Sequence, residues 1–151
     1  MPTLKDRLRA DLTAAMKARD ETRTRTLRMA LTSISNEEVS GTAAHDLTDD
    51  EITRILAREA KRRREAATAF ADAGRGDQAA AERAEEDVLA SYLPAQLSDD
   101  ELTAIVAAAI AETGASGPGG MGQVMKVVTP RVAGRAEGSR VAALVRSQLA
   151  G

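Results

Sequence analysis

Residues 92–110 read YLPAQLSDDELTAIVAAAI, and the order of signals in them decides the fold. Proline disfavours helix at the residue before it, so Pro94 ends any helix that carries Tyr92 and Leu93. Four residues on, Ser98-x-x-Glu101 is a capping box: the serine accepts from a first-turn amide and the glutamate reaches back to the serine N–H. Leu102, Ile105, Val106, Ala109 and Ile110 then fall on one helical face. Helix, break, helix is the prediction, and the break is the clearest boundary in the chain. It separates an N-terminal helical domain over residues 1–93 from a C-terminal domain over 98–151.

Working outward, apolar residues recur at helical spacing and no segment sustains a β-branched alternation, so an all-α fold is expected throughout. Leu4, Leu8, Leu12 and Ala15/Met16 predict a first helix from about residue 4 to 19. A second, after Asp20, would bury Leu27, Leu31 and Ile34 and end near Gly41, with residues 41–47 as a connection. Thr48-x-x-Glu51 opens a third helix whose core face is Ile52, Ile55/Leu56, Ala60, Ala67 and Phe70. A break at Gly74 and Gly76 precedes a fourth, burying Ala81, Ala84, Val88, Leu89 and Tyr92. Beyond the boundary, GASGPGG predicts a flexible turn, MGQVMKVVT a short helix stopped by Pro130, and RVAGRAEG a loop. SRVAALVRSQL closes the chain with Val141, Leu144, Val145 and Gln148/Leu149 inward. The expected architecture is a multi-helix N-terminal part followed by a small C-terminal three-helix bundle.

The totals narrow the function. Lys plus Arg number 21 against 23 Asp plus Glu, so only the distribution of charge is informative. With no cysteine there is no thiolate metal site and no Cys nucleophile, which suits a reducing cytoplasm. The opening MPTLKDRLRADL lacks a secretory core, and no later run approaches the ~18 apolar residues of a membrane helix; a cytoplasmic protein without a membrane partner is expected. One tyrosine, one phenylalanine and no tryptophan leave little to stack on bases, so any nucleic-acid contact should go to phosphates.

Catalytic constellations are mostly missing. His45 is the only histidine and reads as a solvated loop residue, so no triad or His-rich metal site can be assembled. GPGGMG lacks the preceding strand of a dinucleotide loop and reads as a hinge. Glu82, Glu85, Glu86 and Asp87 have no second ligand cluster and read as a solvated acidic face; neither metal nor cofactor is expected. Two basic features remain. The KRRRE run at 61–65 extends a stripe of Arg54, Arg58 and Lys61/Arg62, in which Asp50 with Arg54 and Glu59 with Arg63 can pair as ordinary surface charges. From residue 115 to 151, Lys126, Arg131, Arg135, Arg140 and Arg146 stand against Glu137 alone. Glycines beside Arg135 and Arg140, with a helix start at Ser139, suggest a phosphate site. Arginines on the wet face of a bundle explain the same pattern, and charge alone leaves both readings open.

The boundary YLPAQLSDDEL, followed by GASGPGGMGQVMKVVTPRVAGRAEGSRVAALVRSQL, resembles the GatB/YqeY family pattern. That pattern runs Y-L-P-x-Q-L-S-x-x-E-L, then M-G-x-V-M, G-x-x-(D/E)-G and a closing V-x-x-x-L helix. LRMAL near Leu27 and the arginine-rich third helix also fit, so the resemblance spans nearly the whole chain. It looks like the stand-alone member, whose larger relative is the B subunit of the glutamine-dependent aspartyl/glutamyl-tRNA amidotransferase. The resemblance implies an all-α fold in two parts and a role near tRNA, with contacts expected from Lys126, Arg131, Arg135, Arg140 and Arg62. It also implies association with carbon–nitrogen ligase chemistry that uses glutamine as amido donor, although the domains that catalyse it would not fit in this chain. An adaptor docking on an amidotransferase or synthetase protein is the rival expectation. Gln123 stands where the family often has lysine, and Glu137 where aspartate is common.

Overall fold

Three helices begin with the same reciprocal cap. Thr3, Thr48 and Ser98 each accept from the backbone N–H three residues on, and Asp6, Glu51 and Glu101 each accept from the N–H of the cap residue. The first of these was not legible as a capping box because its third-position acid is an aspartate. Asp20 caps a fourth helix by accepting from Arg23 N–H at 3.0 Å. Each such cap contributes about 1 kcal/mol.

A computed structural model of the chain describes residues 1–41 and 43–151. Among them are seven α-helices and no strand: α1 (Leu4–Lys17), α2 (Glu21–Glu38), α3 (Asp49–Asp72), α4 (Gly76–Ala90), α5 (Asp99–Thr113), α6 (Met121–Val132) and α7 (Gly138–Ala150). One turn of 3-10 helix, Pro118–Gly120, precedes α6. The fold is all-α, as the periodicity predicted. The chain divides into two compact units, Met1–Leu93 and Pro94–Gly151. Of the predicted connection at 41–47, Thr42 lies outside the described residues.

In the first unit, α3 and α4 form an antiparallel hairpin, and α1 and α2 complete a core built on Leu8, Leu27, Ile34, Ile52, Leu56 and Leu89. Two expectations fail here. Met16 is half exposed, since α1 turns Leu8 and Ala15 inward. On α4 the inward face is Ala79, Glu85 and Leu89, while Ala81 and Ala84 are exposed. The reason is a buried ion network. Arg63, 8% exposed, donates to Glu59 at 3.0 Å and to Glu85 at 3.2 Å, and Arg25 of α2 donates to the other oxygen of Glu85 at 3.0 Å. A methyl group discriminates weakly between core and water, so the pairing of Glu85 with Arg63 and Arg25 sets the rotation of α4.

Tyr92, just past α4, closes the same unit. Its hydroxyl donates to Asp11 of α1 and accepts from Arg23 of α2 at 3.2 Å, while the Arg7 guanidinium lies 4.9 Å from the ring centre. Burial, then the bond to Asp11 and its negative charge, push the phenol up to about 12.

In the second unit, α5, α6 and α7 pack around Leu102, Val106, Val124, Val128, Val141 and Val145. The predicted α5 and α7 faces are the buried ones. Pro130 does not stop α6, which runs on to Val132. Proline removes only one bond in a last turn that is anchored by the buried Val128 and Val132, and the helix ends where Ala133 turns left-handed. GASGPGG is a built turn. Gly114 takes the left-handed cap of α5, with φ 66°. A Cβ on Gly120 would lie 2.8 Å from the Ala115 methyl.

Two outcomes follow from these contacts. Gly120→Ala should lower stability by roughly 1–3 kcal/mol through overpacking, with Ala115→Gly restoring part of it in the double variant, as read by urea denaturation. Tyr92 is the sole tyrosine, so phenolate absorbance reports it alone. Its midpoint should lie near 12 in the folded chain and near 10 in the unfolded one. Because the folded state keeps the proton longer, the stability linked to Tyr92 is complete below pH ~10 and is lost as pH rises towards ~12.

Candidate nucleic-acid interface

The motif residues of the second unit meet as two halves of a backbone clamp. Leu97 N–H donates to the Arg135 carbonyl at 2.8 Å. Arg135 Nε returns a bond to the Ala95 carbonyl at 3.2 Å. Arg140, from the first turn of α7, donates through Nη1 to the Leu97 carbonyl at 3.1 Å and through Nη2 to Asp99 Oδ1 at 2.6 Å. Residues 95–98, which form no helix of their own, thus have the Ala95 carbonyl and both backbone groups of Leu97 bonded by the α6–α7 turn and the first turn of α7. Beside them the Glu101 carboxyl sits below the usual carboxylate range. The main causes are its bonds from the Ser98 backbone and side chain, with the Arg135 charge adding to them.

The structure places the five expected contact residues unequally. Lys126 is exposed on α6 with no ion-pair partner among the described residues. Arg131 is exposed and bonds to Glu112 at the end of α5. Arg135 and Arg140 are half-buried and turned onto residues 95–99. The cap residue of α7 is Glu137, an acid at the helix start where a phosphate was expected. Arg62 is 72% exposed and lies 3.4 Å from Glu59. The basic excess that stands out after residue 115 is balanced within its own unit. Residues 94–151 hold five cations, Lys126, Arg131, Arg135, Arg140 and Arg146, and five acids, Asp99, Asp100, Glu101, Glu112 and Glu137.

The family model for Yqey-like proteins matches residues 5–149. The chain belongs to the Yqey-like protein family. No curated protein matches it. In this Yqey-like chain, the tyrosine of the boundary motif ties α1 and α2 to the end of α4, and the leucine and serine of the same motif belong to the clamp and the α5 cap.

The α3 stripe, whose cations were expected to pair as ordinary surface charges, is arranged differently. Arg54, Arg58, Lys61 and Arg62 are exposed and share one face, opposite the buried Ile52, Leu56 and Ala60. Among the described residues, Arg54, Arg58 and Lys61 have no ion-pair partner, and the expected Asp50–Arg54 pair does not form. Arg63 and Arg64 leave this face for α4, where Arg64 meets Glu86 at 2.9 Å. Glu65 ends the stripe one turn on. Arg54 and Arg58 also line a groove of about 430 Å³ with the exposed His45. No group of three His, Cys, Asp or Glu among the described residues is placed to hold a metal, and no described helix is long and apolar enough to cross a membrane.

The clamp makes its own prediction. Arg140→Met keeps an apolar stem but leaves the Leu97 carbonyl without its donor, and should cost about 1–2 kcal/mol by chemical denaturation. Asp99→Asn should cost far less, because that carboxylate is 94% exposed and its pair is screened.

Proposed function

We propose that this Yqey-like protein is a non-catalytic accessory module that binds the phosphate backbone of structured RNA, of the tRNA class, near amidotransferase chemistry. The observation that carries the reading is the α3 stripe: Arg54, Arg58, Lys61 and Arg62 project from one helical face, and among the described residues only Arg62 of these four has a carboxylate within ion-pair distance. A helix with cations at this spacing follows phosphates without reading bases. The scarcity of aromatic residues agrees, since stacking on single-stranded bases needs several rings.

In the second unit, Lys126 and Arg146 are exposed and supply further contacts, with Arg131 joining at the expense of its bond to Glu112. Arg135 and Arg140 act as positioning residues that hold the α6–α7 turn. The resemblance to the amidotransferase B subunit favours tRNA over other structured RNAs.

Four phosphate contacts on α3 alone predict that affinity for total tRNA falls at least ~150-fold between ~50 and ~200 mM salt, and contacts from the second unit steepen the fall. Arg54→Glu with Arg58→Glu should weaken binding at least ~10-fold, with circular dichroism unchanged, and should flatten the salt slope by about two contacts. Lys126→Glu with Arg146→Glu tests the second unit in the same assay. Wild-type affinity in both double variants, or no binding at low salt, would sink the RNA reading.

A further inference from the structure

The end of α1 and the body of α2 leave two methionines uncovered on the first unit. Met16 is 50% exposed and Met29 44%. Both line an open groove of about 720 Å³ whose charged wall is Arg19, Arg25 and Arg28 against one acid, Glu21. Arg28 Nη2 rests 3.7 Å from the Met16 sulfur, and Arg28 has no carboxylate partner among the described residues. Arg19 is exposed where the α1–α2 turn takes φ 57°. Arg25 bonds to Glu85 yet keeps 53% of its side chain in solvent.

Large apolar side chains on a soluble surface are ordinarily scattered, whereas here two thioethers share one depression flanked by guanidiniums. Thioethers are polarizable and unbranched, and so adapt to apolar side chains of varied shape. A phosphate backbone would satisfy the guanidiniums but leave both methionines without cover. A peptide that presents apolar and acidic side chains together covers both.

We propose that this groove docks an acidic amphipathic helix of a partner protein, with its apolar side chains between Met16 and Met29 and its carboxylates on Arg19 and Arg28. The site uses none of the residues of the RNA reading and stands or falls separately from it.

The full chain has five methionines, so methyl-labelled methionine gives an NMR spectrum in which each is followed. The probe is a synthetic helical peptide with leucines at the i, i+3, i+4, i+7 spacing and glutamates on its flanks. Saturable shifts of the Met16 and Met29 methyls are expected, with Met121 and Met125 unmoved. The same peptide with lysine for glutamate should leave all of them in place. Arg19→Glu with Arg28→Glu should weaken the acidic peptide about 10-fold, the equivalent of two partly exposed charge pairs. Among the described residues neither arginine side chain bonds to a core residue, so the variant should keep its helicity. Unmoved Met16 and Met29 methyls, equal shifts with the lysine peptide, or equal shifts with a short RNA duplex would each overturn the proposal. The last of these would make the groove a phosphate surface.

Discussion

Arg63 is the side chain on which the first unit depends. Its guanidinium lies between Glu59 on its own helix and Glu85 on α4, and Arg25 approaches Glu85 from α2. A buried ion pair returns little net stability, because desolvation offsets much of the attraction. Breaking it is another matter: a lone charge left in the interior costs about 3–5 kcal/mol. Any slip or rotation of α4 separates Arg63 from Glu85, so the network selects one packing of α2, α3 and α4 even where alanines would tolerate several. With one tyrosine, one phenylalanine and no tryptophan, the chain has few large, shaped side chains to do this by packing alone.

The second unit solves a related problem with the backbone. The segment after Pro94 has peptide groups without helical partners, and buried ones must find bonds elsewhere. The Arg135 carbonyl and the guanidiniums of Arg135 and Arg140 supply them. Arginines that look like ligand-binding residues along the sequence thereby also hold this segment in place. A planar, permanently charged donor suits this work, since it reaches a carbonyl and a carboxylate at once.

The distribution of charge on this Yqey-like protein takes on a different meaning once α5 is set beside α6 and α7. Acids concentrated before residue 115 and cations concentrated after it belong to one formally neutral unit, and Arg131 with Glu112 and Arg140 with Asp99 join the two groups. On α3 the reverse happens. A run with acids at pairing distance in sequence leaves Arg54, Arg58 and Lys61 without an ion-pair partner among the described residues, because Glu59 turns towards Arg63 and Glu51 towards its cap. Asp50 and Arg54 stay apart although they are one turn from each other, whereas charges about twenty to forty residues apart meet in the second unit.

The sequence alone determined the helical class, the two cap-and-proline signals that bracket residues 94–98, and the buried faces of α5 and α7, because these rest on contacts within one turn or on a repeat of strong apolar residues. It did not determine the face of α4, the exposure of Met16, the passage of α6 through Pro130, or the partners of Arg135 and Arg140. Alanine carries too weak a hydrophobic signal to orient a helix, and a proline near a helix end is overruled by the valines that anchor the last turn. The bonds of an arginine fork depend on segments some forty residues distant. Those outcomes were decided by tertiary structure, in which the free energy of burying or pairing a group is set by neighbours that local sequence does not contain.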